Sequence, residues 1–297
     1  MAELTLLDGG VATELQRRGV PVAAPWWTTR AVLTGQKRDV LRAVHEDHVA
    51  AGAEVITANT FRCNLRALER NGLEDAGLAW MVHAAVGVAT AVRNASSGRV
   101  RVAGSVAPVE DCYRPDLVPP DDELRAEHRW LVVELVRAGV DLVLVETMNS
   151  VREARIAVGE AVTAGATTWA SFVCGPDARL LSGEPLAEAA RAVTGEGAAA
   201  VLVNCTRPDD VEACLAVLGE VAGVPFGASP NVEDRAGLPD GGHVDRHVPA
   251  VLGPAQFATS AARWRSEFGA SVLGGCCGTT PEHLAAAAKA VSAVPAP

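Results

Sequence analysis

Eight short apolar runs, each followed by a stretch of helical period, limit what this chain can fold into more than any other feature. The runs are Thr5-Leu6-Leu7, Glu54-Val55-Ile56-Thr57-Ala58, Val100-Arg101-Val102-Ala103-Gly104, Asp141-Leu142-Val143-Leu144-Val145, Thr168-Trp169-Ala170-Ser171-Phe172-Val173, Ala200-Val201-Leu202-Val203, Val224-Pro225-Phe226-Gly227 and Ala270-Ser271-Val272-Leu273. Strands this apolar on both faces suit a parallel sheet covered on both sides. Helical periodicity marks residues 39–51, 73–94, 122–138, 151–164, 186–194, 208–218, 254–268 and 281–293. Three of these segments end in Ala-Gly, at Ala51-Gly52, Ala138-Gly139 and Ala164-Gly165, where glycine supplies a left-handed cap before the next strand. Eight such β–α pairs in 297 residues, 49% of them hydrophobic, match the size of one (β/α)8 TIM barrel. The rival is a doubly wound sheet, but Asp8-Gly9-Gly10-Val11-Ala12 does not match the glycine-rich nucleotide loop such a sheet carries after its first strand. No low-complexity linker interrupts the pattern, so residues 1–297 are read as one domain.

A formal charge of -10 argues against nucleic acid, because little would neutralise the phosphates. No apolar run in the sequence approaches the ~18 residues of a membrane span, and Met1-Ala2-Glu3 lacks the basic start of a signal peptide. The expectation is a cytoplasmic protein, monomeric or a small homo-oligomer, without nucleic-acid or membrane partners.

In a parallel barrel, chemistry sits where the strands end. Those ends carry Asp8, Asn59-Thr60, Ser105, Glu146-Thr147, Cys174, Asn204-Cys205, Ser229-Pro230-Asn231 and Cys276-Cys277. The two vicinal thiols lie in Gly274-Gly275-Cys276-Cys277-Gly278-Thr279-Thr280-Pro281, where the glycines let the backbone turn sharply and approach a ligand. Thr280 and Pro281 read as the N-cap and first residue of a helix. Three thiols at strand ends, Cys205, Cys276 and Cys277, make a soft-metal site, most simply zinc with one coordination position open. The bland alternative for Cys276-Cys277 is a vicinal disulfide or a buried thiol pair. The other four of the seven cysteines, Cys63, Cys112, Cys174 and Cys214, look mutually unrelated and suit small buried apolar positions.

Together these residues resemble the homocysteine S-methyltransferase family. Asp8-Gly9-Gly10-Val11-Ala12-Thr13-Glu14-Leu15 is similar to its opening motif, followed in order by Ile56-Thr57-Ala58-Asn59-Thr60-Phe61, Val145-Glu146-Thr147, Val203-Asn204-Cys205 and the stretch from Gly274 to Thr280. The resemblance spans nearly the whole chain. It implies that Cys205, Cys276 and Cys277 hold Zn2+ and that homocysteine sulfur takes the fourth position. It further implies that Asp8 and Glu146 hold the homocysteine ammonium group and that main-chain groups near Gly9 and Thr60 receive its carboxylate. Asn204, next to Cys205, reads as a brace for that loop and is counted with the substrate site. The methyl donor then is S-methylmethionine, S-adenosylmethionine or a betaine-like compound. With no second barrel or cobalamin module in the sequence, a folate or corrinoid donor is disfavoured. Selenocysteine remains an alternative acceptor.

The chemistry is coherent without the family name. A free thiol of pKa near ~8.5 is mostly protonated at neutral pH, and zinc coordination deprotonates it. Two functions of other classes compete. A zinc hydrolase would place water at the open position, but thiolate ligands make zinc a poor Lewis acid and no general base accompanies them. A thiol redox protein would use Cys276-Cys277 directly, without Cys-x-x-Cys spacing. Elsewhere, His45-Glu46-Asp47-His48 and His243-Val244-Asp245-Arg246-His247 read as solvated faces. Trp26-Trp27 reads either as a pocket wall offering an aromatic face to a cationic donor or as packing.

Overall fold

The computed structural model describes residues 3–96, 98, 100–234 and 247–294. Eight parallel strands form one sheet: β1 (Thr5–Leu6), β2 (Val55–Ala58), β3 (Arg101–Val106), β4 (Leu142–Met148), β5 (Thr168–Phe172), β8 (Ala200–Asn204), β9 (Phe226–Ser229) and β10 (Val272–Leu273). Their order is β1-β10-β9-β8-β5-β4-β3-β2. The two ends meet through a parallel bridge from Leu7 to Val55, flanked by Asp8 N to Val55 O at 2.9 Å and Glu54 N to Leu6 O at 2.8 Å. The sheet thus curls into a TIM barrel, as the sequence predicts. A short antiparallel hairpin, β6 (Cys174–Gly175) with β7 (Arg179–Leu180), stands above β5.

Side-chain alternation divides the apolar residues into two cores. Leu7, Val55, Leu142, Leu144, Trp169, Leu202 and Val272 fill the barrel interior. Ile56, Val102, Val143, Val145, Ala170, Val201 and Val203 face the helices, so both faces of each strand are dry. At the start of β3 the Arg101 guanidinium lies 5.3 Å from the Trp169 ring centroid, a cation–π contact. Gly227 in β9 is required by close strand approach: a Cβ there would come within 1.6 Å of Val272 O on β10. Gly227→Ala is expected to cost about 3 kcal/mol or more, because backbone cannot yield as a side chain does. Thermal denaturation indistinguishable from wild type would contradict that packing.

The outer ring contains α2 (Gly35–Ala50), α4 (Ala76–Ala95), α5 (Asp121–Ala138), α6 (Val151–Thr163), α7 (Leu186–Gly195), α8 (Pro208–Val221), α9 (Pro254–Phe268) and α10 (Pro281–Ser292). Gly52, Gly139 and Gly165 adopt φ of 107°, 85° and 81°, the left-handed geometry expected after their helices. Thr280 caps α10; its amide donates to His283 Nδ1 (3.3 Å), whose Nε2 donates to Leu252 O (2.8 Å). Two helices escape a periodicity reading, α1 (Val11–Arg17) and α3 (Leu65–Arg70), because each is too short to show a repeat.

Two expectations are corrected. Helix α4 is long and apolar enough by length and composition to cross a membrane, where the sequence reading counted no such run. It packs instead against β2, β3, α2 and α5 as a wall of the barrel. His45 and His48 are not on a solvated face: both are fully buried. With Leu41 and Val44 they form the inward stripe of α2, at the i, i+3, i+4, i+7 spacing of a core face. Burial holds both imidazoles neutral, with pKa values lowered to about 3 for His45 and about 4 for His48. Residues 243–246 of the second histidine pair lie outside the described residues; His247 is exposed.

Candidate active site

Strand ends β1, β2, β3, β4, β8, β9 and β10 converge on one pocket at the C-terminal mouth of the barrel. Its walls include Asp8, Gly9, Gly10, Thr57, Asn59, Ser105, Glu146, Thr147, Asn204, Cys205, Cys276 and Cys277. The loop after β10 is locked by backbone geometry. Gly275 N donates to Asp8 O (2.9 Å) and Cys276 N to Pro230 O (3.0 Å). Gly10 N donates to Thr279 Oγ1 (3.0 Å), and that hydroxyl donates to Cys276 O (2.6 Å). Glycine is obligatory at Gly278, where φ is 81° and a Cβ would lie 2.7 Å from Glu233 N.

Cys205 follows β8 with φ 51°, and Thr147 within β4 has φ 58°. Left-handed conformations at non-glycine residues are strained and cluster at functional sites. The turn at Cys205 swings its sulfur across to the β10 loop. The Sγ atoms of Cys205, Cys276 and Cys277 lie within 4.8 Å of one another, and all three residues are partly exposed to the pocket. Cys205 and Cys276 are paired as a disulfide with Cα atoms 5.7 Å apart; the vicinal Cys276–Cys277 pairing does not occur. Three sulfurs this close, facing a pocket, fit a thiophilic metal once the pair is reduced.

The two carboxylates line the same pocket as the thiols. Asp8 accepts from Thr57 N (2.7 Å) and Thr57 Oγ1 (2.8 Å), so it bridges β1 to β2 and does not cap α1, whose N-cap is Gly10. Glu146 accepts from Ser105 Oγ (2.5 Å) and Asn204 Nδ2 (3.3 Å). Asn204 Oδ1 in turn accepts from Thr147 N (2.9 Å) and Ser171 Oγ (2.7 Å), so Asn204 both lines the pocket and fixes the direction of Glu146. Desolvation raises each carboxyl to about 7, opposed at Asp8 by the Thr57 bonds and reinforced at Glu146 by the charge of Asp8. Two mutually repelling acids in a dry pocket are a receptor for a cation.

The other predicted residues separate. Gly9 lines the pocket with His48 directly behind it: a Cβ on Gly9 would lie 2.9 Å from His48 Nε2. Thr60 sits behind the wall. Its amide donates to Ala58 O (2.7 Å) and its hydroxyl to Ser105 O (2.9 Å), pinning β2 to β3, while Asn59 takes the position on the pocket. Cys174 is buried outside the pocket and is not unrelated to Cys214. A hydrogen bond to the Cys214 thiol, together with burial, pushes the Cys174 thiol well above its usual range. Trp27 walls the pocket, whereas Trp26 packs on the outer core.

Sequence reading missed Thr57, Arg62, Cys112 and Tyr113 as pocket residues. Thr57 hides inside an apolar strand. The other three sit on loops whose course no periodicity reports. The loop after β3 is anchored by buried Glu153, which accepts from Val109 N (2.7 Å) and pairs with His128 Nε2 (3.2 Å).

A (β/α)8 barrel whose mouth gathers three cysteines and two buried carboxylates offers soft donors to a thiophilic metal and acids to a cationic group. The homocysteine S-methyltransferase family model matches residues 5–291, and the chain belongs to that family. It is similar to the homocysteine S-methyltransferase of Escherichia coli strain K12, at 29% identity over 96% of this chain and 94% of the relative. It is also 27% identical to a selenocysteine Se-methyltransferase of Brassica oleracea var. italica, over 96% of this chain and 88% of the relative. The crystal structure of the Escherichia coli homocysteine methyltransferase in its metallated form superposes with a TM-score of 0.82 at 28% identity, covering 96% of this chain and 95% of that one. Its oxidized form gives a TM-score of 0.83 over the same shares.

Proposed function

We propose that this chain is a zinc-dependent methyltransferase that moves a methyl group from a small onium donor to the thiol of homocysteine, giving methionine. The observation that carries the reading is the placement of three mutually close sulfurs and the Asp8–Glu146 pair on one pocket. Cys205, Cys276 and Cys277 would hold the zinc, and the metallated relative supports that assignment. Zinc bound there would make the substrate thiol acidic enough to lose its proton at neutral pH, while three thiolate ligands keep that sulfur electron-rich.

Asp8 and Glu146 would clamp the homocysteine ammonium group and so aim its sulfur at the donor. The sulfur lone pair attacks the donor methyl carbon as the bond from that carbon to the onium sulfur or nitrogen breaks. The bonding electrons return to the leaving atom, which departs neutral. Opposite charges cancel in this step, so a pocket walled by Val22, Trp27 and Phe61 favours it by keeping water out. A sulfonium is a better leaving group than a quaternary amine, which favours S-methylmethionine or S-adenosylmethionine over betaine. A cytoplasmic location belongs to the same proposal, because reducing conditions keep three thiols free.

The test is methionine formation by the reduced, zinc-loaded chain with S-methylmethionine, S-adenosylmethionine, betaine and methyltetrahydrofolate at matched concentration. Turnover is expected with the sulfonium donors first. Faster turnover with betaine would overturn the sulfonium preference; a strong preference for selenocysteine over homocysteine would overturn the acceptor. Turnover only with methyltetrahydrofolate would overturn the onium reading. Thiol–disulfide cycling without zinc and without methionine would favour the redox reading that the Cys205–Cys276 pair otherwise supports.

A further inference from the structure

Among the described residues that line the pocket, Arg62 is the only cation, set against Asp8 and Glu146. It belongs to the turn beyond β2, closed by Cys63 N to Thr60 O at 2.9 Å. Asp8, by contrast, is bonded to Thr57 inside the strand. Arg62 therefore stands beyond the strand end, on a loop beside Phe61, whereas Asp8 lies at the end of β1 and Glu146 within β4; Trp27, Cys112 and Tyr113 line the same pocket. Its guanidinium carbon lies 5.5 Å from the Trp27 ring centroid and 5.3 Å from the Phe61 ring centroid. Trp27 thus already engages a cation from its own chain.

Stacking engages the faces of a guanidinium and leaves its in-plane N–H groups for acceptors. One of them approaches Glu110 O at 3.5 Å, a long contact. The Glu110 carboxylate itself is committed to Arg66 (2.8 Å) and Arg70 (2.9 Å), and among the described residues Arg62 has no carboxylate ion pair. The result is a preorganised cation without a carboxylate partner among the described residues, on the same pocket as two acids that the proposed function assigns to an ammonium group.

We propose that Arg62 receives the carboxylate of the methyl donor, so that the site selects onium compounds that also carry a carboxylate. The inference rests on the methyl-transfer reading and adds a requirement to it. The proposed function places the acceptor on the acids and thiols; the cation on the loop beyond β2 is left for the second substrate of the same pocket. The bidentate fork of arginine matches a carboxylate, and its clamped pose limits the entropy lost on binding.

The test compares S-methylmethionine with trimethylsulfonium, a sulfonium lacking a carboxylate, in the full zinc-loaded chain and in Arg62→Met and Arg62→Lys. Removing a charge-assisted hydrogen bond should reduce the KM advantage of S-methylmethionine over trimethylsulfonium by about 10- to 100-fold in Arg62→Met. Arg62→Lys should recover part of it, and KM for homocysteine should stay put. Calorimetric binding of S-methylmethionine should weaken by the same factor. An unchanged donor ratio, an increase in KM for homocysteine instead, or equal S-methylmethionine affinity in wild type and Arg62→Met would each overturn the assignment. Wild-type chain that binds S-methylmethionine through Arg62 but makes no methionine would overturn the methyl-transfer reading alone.

Discussion

Cys205→Ala, Cys276→Ala and Cys277→Ala are each expected to abolish zinc retention and turnover while the barrel stays folded. Removing one of three protein ligands should lower zinc affinity by more than the ~100-fold that loss of an outer-shell partner causes. The fold should tolerate the change because all three side chains face the pocket and are only partly buried. None belongs to the two large apolar clusters that hold strands to helices and fill the barrel. Reduction must precede metal loading, since the Cys205–Cys276 pair occupies two of the three donors. Zinc content by atomic emission, with circular dichroism as the folding control, decides the matter. Stoichiometric zinc in any one variant would remove that cysteine from the ligand set.

Glu146→Gln should separate substrate binding from stability, moving them in opposite directions. Breaking one side of a buried charge arrangement costs on the order of 3 kcal/mol, or roughly a hundredfold in homocysteine affinity, with donor affinity little altered. Without ligand, burial and Asp8 raise the Glu146 carboxyl to about 7. An acid whose folded pKa is raised binds more protons when folded than when unfolded. The empty barrel therefore loses stability as pH rises from about 4.5 to about 7, and the loss is complete above that window. Glutamine does not titrate, and it can donate to Ser105 while accepting from Asn204. The variant should thus be more stable than wild type at pH 8 by about 1–3 kcal/mol, with little difference at pH 4.5. Homocysteine binding to wild type should tighten as pH rises through about 7, where Asp8 and Glu146 ionise, and the variant should show a shallower profile. Equal homocysteine affinity in the two proteins would show that Glu146 does not hold the ammonium group.

What the sequence by itself determined is set by local physics. Alternating aliphatic runs such as Leu142-Val143-Leu144-Val145 dictate strands covered on both faces, and eight of them with eight amphipathic helices leave a barrel as the economical closure. Polar residues that end those runs, Asp8, Glu146, Asn204 and Cys205 among them, announce the pocket because parallel strands in a barrel all end at one mouth. Tertiary structure alone decided the rest. His45 and His48 look solvated in sequence, yet the orientation of α2 turns them inward, since periodicity defines a face without saying what it meets. Cys174 and Cys214 are brought together by the packing of α8 beneath the β6 hairpin, a contact between residues forty apart in the chain. Thr60 carries the family motif, but its hydroxyl bonds β3, and Asn59 takes the pocket position. Arg62 carries no sequence signal, because its meaning lies in the Trp27 ring beside it and in the lack of an acid ion-pair partner among the described residues. Both arise only when loops distant in sequence are folded over one another, where hydrogen-bond and packing demands are settled in three dimensions.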